Sequence, residues 1–343
     1  MQSSWFLLDL AILHFAEVLH EGSARGFLGV SRWFVRTREG YHAAMLQRLL
    51  LLLVVLGFNQ PAQSRGPLEL ANEAVAPGAR RIAYGSGALQ FAELRLPATK
   101  PPHPVAIVVH GGCWLAKLAT VDERAIALDN IRPLAAALTE AGIATWNVEY
   151  RRLGHEGGGW PGTFQDIGHA ADFLRELAPE HQLDLSHVIA IGHSAGAHLA
   201  TWLAVRHKVP KSSDLHAANA LRLSGVVNLD GPADLKATIP MQQSICGVPV
   251  INQLMGGSPE ERPERYRDGS PVELLPAGLP QDVFAGRMFA KLATPYEAAA
   301  KRAGDDVRTT VLADAGHFVF IDPRSAVWPQ VLQSVKRLLR MPG

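Results

Sequence analysis

Uninterrupted apolar runs that stop at glycine or serine constrain this chain more than any other feature. Two such runs lie at 104–112 (PVAIVVHGG) and 187–194 (HVIAIGHS). A strand that is apolar at every position has to be buried on both faces, as in a parallel sheet covered by helices. Amphipathic stretches such as 164–178 (FQDIGHAADFLRELA) alternate with these runs. The chain is therefore predicted to form an α/β structure, a mostly parallel sheet with helices on both faces.

The remaining elements follow the same alternation from residue 80 onward. The sequence predicts an opening hairpin at 81–85 and 90–96, strands at 143–151, 223–230, 283–286 and 307–317, and helices at 129–142, 195–207, 295–304 and 326–340. The stretch 235–280 is rich in Pro and Gly and has no regular pattern. It is too long for an ordinary connection, so we expect a lid or functional insertion there.

Residues 45–64 (MLQRLLLLLVVLGFNQPAQS) have the layout of a secretory signal peptide. Arg48 supplies positive charge, 49–58 form an apolar core, and small residues lead up to Ser64. The apolar run is short for a membrane span. We therefore expect cleavage after Ser64.

This interpretation divides the chain into three parts. Translation would start at Met45, residues 1–44 would be an upstream extension, and 65–343 would be the mature domain, in the periplasm or outside the cell. The alternative is a true N-terminal segment with a membrane-anchoring helix. An exported chain meets an oxidising compartment, so its two cysteines, Cys113 and Cys246, could form a disulfide; two buried thiols are the alternative.

The charge balance limits the classes of partner. The formal net charge is +1 over 343 residues, 48% of which are hydrophobic. This composition is typical of a globular protein with a sizeable core. It gives no support for nucleic acid or an anionic membrane surface as a partner.

The strongest chemical signal is the motif GHSAG at 192–196, which fits Gly-x-Ser-x-Gly. It places Ser194 on a tight turn between a buried strand and a helix, where only small neighbours fit. The start of the helix favours negative charge that develops nearby. The motif predicts a nucleophilic serine; a tight turn with a structural serine is the alternative.

The motif HGGCW at 110–114 directly follows a buried strand. A glycine pair there can direct backbone N–H groups toward an oxyanion, together with the N–H of Ala195. Gly112 and Cys113 are the expected donors. A plain Gly-Gly turn is the alternative.

The motif DAGHF at 314–318 follows the last predicted strand. His317 comes after Ser194 in the chain and after the final strand, which is the order expected for a general base. His317 is therefore the candidate that takes the serine proton and returns it to the leaving group.

Together, HGGCW, GHSAG and DAGHFVFIDP resemble the α/β-hydrolase superfamily over about 80–340, and most closely its esterase/lipase branch with kynurenine formamidase-like and prolyl-oligopeptidase-like enzymes. The resemblance implies an eight-stranded, mostly parallel sheet and a Ser–His–acid triad. It also implies hydrolysis of a small-molecule ester, or sometimes an amide, through an acyl-enzyme. It implies no metal and no organic cofactor.

The third member of such a triad is missing from its usual place after the next-to-last strand. There, Gly286 is followed by Arg, Met and Phe. Asp230 ends an earlier strand, at the same sheet edge as the serine and histidine, and is the preferred substitute. Asp234 is expected to cap the following helix. Three other carboxylates stay open as alternatives: Asp314, Glu297 and Asp282.

The substrate-binding groups are less constrained by the sequence. Trp114 and Trp160 are candidates for the pocket wall, and the lid would offer three apolar side chains: Met241, Ile245 and Leu254. A Cys113–Cys246 bond would connect that lid to the oxyanion loop. The leading hypothesis is a carboxylesterase. An amidase, formamidase or peptidase with the same triad, or a non-catalytic binding protein of this fold, are the alternatives.

Overall fold

The computed structural model describes residues 65–119 and 121–342. The predicted upstream extension at 1–44 and the signal peptide at 45–64 lie outside the described residues. No helix in the described part of the chain is long and apolar enough to cross a membrane.

An eight-stranded sheet forms the centre of the structure. The strands are β1 (Arg80–Ala83), β2 (Phe91–Arg95), β3 (His103–Val109), β4 (Ala144–Val148), β5 (Leu183–His193), β6 (Gly225–Leu229), β7 (Gln281–Ala285) and β8 (Val307–Val311). Their order is β1-β2-β4-β3-β5-β6-β7-β8. β1 and β2 form an antiparallel hairpin, β2 also pairs antiparallel with β4, and all other pairs are parallel. The predicted α/β-hydrolase sheet is confirmed.

Helices cover both faces of this sheet. They are α1 (Pro67–Ala71), α2 (Arg132–Glu140), α3 (Gly162–Asp172), α4 (Leu174–His181), α5 (Ala195–Val205), α6 (Leu235–Thr238), α7 (Gln242–Cys246), α8 (Val250–Met255), α9 (Pro263–Gly269), α10 (Ala290–Arg302) and α11 (Trp328–Leu338). Alternate side chains of β3 belong to opposite layers: Val105 and Ile107 pack in the core cluster that holds α3 and α5, whereas Ala106 and Val108 pack in the one that holds α2 and α11. This two-sided burial explains why the run at 104–112 has no polar alternation.

The parallel register brings the ends of β5 and β6 to one level. His193 pairs with Leu229 in the ladder, so Ser194 and Asp230 leave the sheet side by side. The Ser194 N–H donates to the Leu229 carbonyl at 3.0 Å, and the Asp230 N–H donates to the Phe284 carbonyl at 2.7 Å. Backbone hydrogen bonds therefore fix both residues at the carboxyl edge of the sheet.

The expectation of an irregular stretch at 235–280 is wrong in one respect. The segment contains the four short helices α6 to α9, of 4, 5, 6 and 7 residues. Helices of fewer than two turns do not repeat the helical spacing, so the pattern could not be read. Gly247 and Gly256 end α7 and α8 in the left-handed conformation. Asp234 caps α6, as its Oδ1 accepts the N–H of Ala237 at 3.0 Å.

Candidate active site

Ser194 lies on the sharp turn from β5 into α5, with φ 56° and ψ −122°. A non-glycine residue in this region costs about 1–3 kcal/mol, so the surroundings must hold it there. A Cβ on Gly192 would lie 2.1 Å from the Gly196 carbonyl oxygen, and a Cβ on Gly196 would lie 2.2 Å from that of Val109. A side chain at either position would clash with the backbone, so the motif requires both glycines. Ser194 projects from the turn at the start of a helix.

His317 begins a 3₁₀ turn, His317–Ile321, after β8. Its Nδ1 lies 2.6 Å from Oδ2 of Asp230, whose side chain is fully buried. A carboxylate in this position accepts the Nδ1 proton, which leaves Nε2 as the acceptor on the ring. Among the described residues, His317 makes no hydrogen bond to Ser194; such bonds are often long in free enzymes and tighten when substrate binds.

The backbone and a second strand hold Asp230 in place. Its φ is 48°, and its Oδ1 accepts the N–H of Gly286 at 2.8 Å. A Cβ on Gly286 would lie 2.9 Å from the Ala315 carbonyl oxygen, 2.9 Å from the Phe320 ring and 3.3 Å from Asp230 Oδ2. Gly286, directly after β7, therefore has no room for a side chain. It binds the Asp230 carboxylate instead.

The structure brings none of the other candidate acids to His317. Asp314 is exposed, and its contact to Arg287 is made by its carbonyl oxygen. Glu297 pairs with Lys301 along α10 at 2.5 Å, and this hydrogen bond lowers the pKa of Glu297. Asp282 lies near the opposite end of β7 and is bound by Ser334 and Arg337. Burial raises the pKa of Asp282, an effect that Arg337 opposes.

Three successive residues of the predicted oxyanion loop have positive φ: Gly112 at 109°, Cys113 at 53° and Trp114 at 53°. A Cβ on Gly112 would lie 2.3 Å from the Ile126 carbonyl oxygen, which explains the glycine. No described residue accepts a hydrogen bond from the N–H of Gly112 or Cys113. These two N–H groups, with that of Ala195 at the start of α5, are available to an oxyanion.

A buried ionic network behind the loop was not predicted from the sequence. His110 Nε2 lies 3.1 Å from Glu149 Oε1, and the Tyr150 hydroxyl donates to the His110 carbonyl at 2.9 Å. Arg152 donates to the Ile126 carbonyl at 2.8 Å and lies 3.4 Å from Glu149. Burial raises the pKa of Glu149, but His110 and Arg152 outweigh it and lower this pKa to about 2. The signal that could have found the network is the pairing of HGG with EYRR, which directly follow the neighbouring strands β3 and β4.

His193, the variable residue of the serine motif, was also overlooked. Its Nε2 lies 3.0 Å from the His317 carbonyl oxygen, and the two rings are 4.3 Å apart. Burial and the neighbouring His317 lower the pKa of His193 well below its usual range. The neutral ring therefore donates its Nε2–H to the His317 backbone and supports the turn that carries this histidine.

A narrow apolar cleft adjoins Ser194. Its empty volume, which includes space open to solvent, is about 280 Å³, and the cleft is narrow enough to admit about one water-sized molecule. It is lined by Cys113, Trp114, Ser194, Ala195, Pro232, Thr238, Gln242, Ile245, Cys246, Val250, Ile251 and Phe289. Trp114 and Ile245 thus lie where the sequence predicted. No three His, Cys, Asp or Glu side chains among the described residues could hold a metal ion.

Three predicted pocket residues are not in this cleft, which corrects those assignments. The Trp160 ring packs on Phe164 at 5.5 Å, and its Nε1 donates to Asp214 at 3.1 Å. Leu254 is fully buried in the core next to the sheet, and Met241 lies outside the lining. The sequence alone did not indicate which side chains of these short elements would face Ser194.

Cys113 and Cys246 form a disulfide with Cα atoms 5.9 Å apart. Cys113 belongs to the oxyanion loop and Cys246 ends α7, so the bond connects the loop to the helical segment. Both residues are buried, at 8% and 5% exposure, and both line the cleft.

Comparison with known proteins gives a family and a fold. The BD-FAE family model matches residues 93–283, and no curated protein matches the chain. A truncated carbohydrate esterase from gut microbiota is similar at 20% identity and a TM-score of 0.62, covering 80% of this chain and 100% of that one. An acetyl ester-xyloside bifunctional hydrolase from Caldicellulosiruptor lactoaceticus is similar at 15% identity and 0.61, covering 79% and 100%. Thermogutta terrifontis esterase 2, phosphoramylated by tabun, is similar at 19% identity and 0.59, covering 77% and 94%. At these identities the structures establish the fold.

Proposed function

The chain belongs to the BD-FAE family, an α/β-hydrolase-type esterase family, and from this premise we propose that Ser194, His317 and Asp230 catalyse ester hydrolysis in it. The chain is a serine ester hydrolase. The observation that carries the assignment of residues is the contact of 2.6 Å between His317 Nδ1 and Asp230 Oδ2. It supplies the acid that the motif pattern lacked, at the sheet edge where Ser194 also lies.

The first half-reaction forms the acyl-enzyme. Ser194 Oγ attacks the ester carbonyl carbon while His317 Nε2 takes the hydroxyl proton. Asp230 stabilises the imidazolium that results. The tetrahedral intermediate then collapses, the bond to the leaving alcohol breaks, and His317 returns the proton to the departing oxygen. Water repeats these steps on the acyl-enzyme, releasing the carboxylic acid and the Ser194 hydroxyl.

The oxyanion of each tetrahedral intermediate would bind the N–H groups of Gly112, Cys113 and Ala195. Two of these donors have no partner among the described residues, and the third lies at the start of α5. Donors fixed before the reaction need no reorganisation as charge develops, and removing one typically costs about 10²–10³ in turnover.

The cleft supports a short acyl group as the substrate. Its walls are mostly apolar, and it is narrow. The narrow space favours an acyl group as small as acetyl, because a long chain would have to displace Ile245 or Ile251. Two of the similar structures are a carbohydrate esterase and an acetyl ester-xyloside bifunctional hydrolase. We therefore propose a short-chain ester, with an acetylated carbohydrate as the preferred candidate.

A chain-length series tests both parts of this proposal. The assay measures kcat/KM on p-nitrophenyl acetate, butyrate and octanoate, on an acetylated xyloside, and on a matching anilide. We expect acetate to be preferred, and Ser194→Ala to lower turnover by about 10⁴–10⁶. Ser186→Ala, at an exposed serine in β5, is the matched control and should behave as wild type. Preference for octanoate would refute the short-acyl assignment, and preference for the anilide would favour an amidase.

We also propose that the protein is exported and begins at Arg65 after cleavage. The layout of residues 45–64 supports this, as does the disulfide between Cys113 and Cys246, a bond typical of oxidising compartments. N-terminal sequencing of the protein made in its native host tests it. Arg65 as the first residue is the expected result, and a chain starting at Met1 would contradict the proposal.

A further inference from the structure

The oxyanion loop holds two consecutive residues in a conformation that their side chains disfavour. Cys113 and Trp114 both have φ 53°, a region that glycine adopts readily and in which residues with a Cβ are strained. Such strain persists only when the surroundings enforce it. The conformation bears on the proposed function, in which the N–H of Cys113 is one of the oxyanion donors.

The two residues are held by different means. The Trp114 carbonyl accepts the N–H of Leu153 at 2.8 Å, and the Ala116 N–H donates to the Leu153 carbonyl at 2.8 Å. The backbone after Cys113 is thus anchored to the chain beyond β4. Cys113 itself donates no backbone hydrogen bond to a described residue, and the turn around it is closed by one bond, from the Leu115 N–H to the Gly112 carbonyl at 3.0 Å. Its side chain is fixed by the bond to Cys246.

The other end of the disulfide lies in the wall of the cleft. Cys246 is the last residue of α7, a helix of 5 residues, which is too short to be stable alone. α7 is held through Gln242, whose Oε1 accepts the N–H of Ile251 at 2.8 Å, and through the disulfide. One covalent bond therefore connects a proposed oxyanion donor with the wall of the cleft beside Ser194.

We propose that the Cys113–Cys246 disulfide is a positioning clamp that holds the oxyanion loop in its left-handed conformation, so that reducing it lowers turnover. Cys246 acts here as a positioning residue, through Cys113. The proposal rests on the proposed function, because it concerns the donors of the oxyanion hole. Once the bond is broken, a single turn hydrogen bond, from the Leu115 N–H to the Gly112 carbonyl, opposes the relaxation of Cys113 toward negative φ, in which its N–H turns away.

The reduction is a thiol–disulfide exchange with a dithiol. A thiolate of the reductant attacks one sulfur, the S–S bond breaks, and the other cysteine leaves as a thiolate. The second thiol of the reductant then closes on the mixed disulfide and releases the second cysteine. The dithiol supplies two electrons and becomes a cyclic disulfide, and both protein thiolates take up protons. Since both sulfurs are buried and line the cleft, we expect a phosphonate bound covalently to Ser194 to slow this reaction.

The first test uses the folded wild-type enzyme before and after dithiothreitol, with free thiols counted at each step. The expected result is a rise from zero to two thiols, together with a fall in kcat of about 10–10³-fold on p-nitrophenyl acetate. KM should change by less than about threefold, because the donors act mainly on the transition state. The assay temperature is kept below the melting temperature of the reduced form, so that unfolding does not imitate the effect. Unchanged kcat in the fully reduced enzyme would overturn the proposal.

Two variants separate positioning from general stabilisation. Cys246→Ala should lower kcat as reduction does and make the enzyme insensitive to dithiothreitol. The double variant Cys113→Gly/Cys246→Ala lacks the same bond, but glycine adopts the left-handed conformation without strain. It should recover most of the kcat that Cys246→Ala loses, although its melting temperature stays low. A disulfide that is only structural would leave both variants equally impaired.

The outcomes distinguish a failure of this proposal from a failure of the proposed function. An oxidised enzyme whose turnover depends on Ser194, with Cys246→Ala equally active, overturns the clamp and leaves the esterase assignment intact. Absence of any Ser194-dependent turnover in the oxidised enzyme overturns both.

Discussion

Asp230→Asn is the perturbation that tests the triad most directly, because the structure determines which way the new amide must face. Asp230 Oδ1 accepts the N–H of Gly286 at 2.8 Å, and Oδ2 faces His317 Nδ1 at 2.6 Å. An amide keeps the first contact only with its oxygen toward Gly286. Its NH₂ group is then directed at Nδ1, where it acts as a donor. The His317 ring must respond by placing its proton on Nε2, and a protonated Nε2 is unable to accept the proton of Ser194.

The magnitude follows from loss of the general base in its working tautomer. Turnover should fall by about 10⁴, which corresponds to about 5 kcal/mol of transition-state stabilisation. The free energy of unfolding should change by less than about 2 kcal/mol, because the amide keeps the shape and the contact to Gly286. KM should change little, since Asp230 is buried behind His317 and is not in the cleft lining.

The assay combines kcat/KM on p-nitrophenyl acetate with urea unfolding of the same preparation. Asp234→Asn is the matched control, four residues away: Asp234 caps α6 through the Ala237 N–H, a role that asparagine also fills. It should keep wild-type activity and nearly wild-type stability. If Asp230→Asn retained turnover within tenfold of wild type while folded, Asp230 would not be the triad acid.

Three further perturbations probe the supports of the site. Burial raises the pKa of Glu149, but His110 and Arg152 outweigh burial and lower this pKa from 4.5 to about 2. Glu149→Gln should therefore lower the free energy of unfolding by about 3 kcal/mol at neutral pH. This stabilisation is present above pH 4.5 and is lost as the pH falls toward 2. Urea unfolding should therefore show a smaller difference in stability between wild type and Glu149→Gln at low pH, and a difference that does not change with pH would contradict this prediction. Gly286→Ala puts a Cβ 2.9 Å from a carbonyl oxygen and should cost about 1–3 kcal/mol of stability as well as activity; an unchanged melting temperature would argue against the contact. Ile245→Ala should raise the butyrate-to-acetate ratio of kcat/KM about tenfold, and an unchanged ratio would remove Ile245 from the acyl wall.

The sheet was predictable because its central strands are apolar on both faces. A run such as 104–112 is hard to place anywhere but inside a parallel sheet, and the order of strands and helices then implied the architecture. The same logic placed Ser194 and Asp230 at one edge, since each directly follows a buried strand. The register that makes them neighbours, with His193 opposite Leu229, follows from the parallel pairing of β5 and β6.

Contacts between distant elements were not predictable from local pattern. Trp160 follows a glycine-rich loop, and nothing nearby in the sequence indicated that its indole would bind Asp214. The network of His110 and Glu149 joins the segments that follow β3 and β4, and the two residues are 39 positions apart in the sequence. Helices α6 to α9 are each too short to show periodicity, so the sequence did not predict which of their side chains line the cleft.

The displaced acid follows from what a triad requires of its third member. The carboxylate must reach Nδ1 of the histidine, and the strand that supplies it is immaterial. β6 and β7 are adjacent, so a side chain at the end of β6 can occupy the space beside the end of β7. In this chain Asp230 does so, and the N–H of Gly286 binds its other oxygen. A side chain at Gly286 would meet that carboxylate at 3.3 Å, so an acid at the end of β6 requires glycine directly after β7. Moving the carboxylate to that glycine, as in Asp230→Asn combined with Gly286→Asp, should fail to restore turnover to Asp230→Asn alone, because the new Cβ would lie 2.9 Å from the Ala315 carbonyl oxygen.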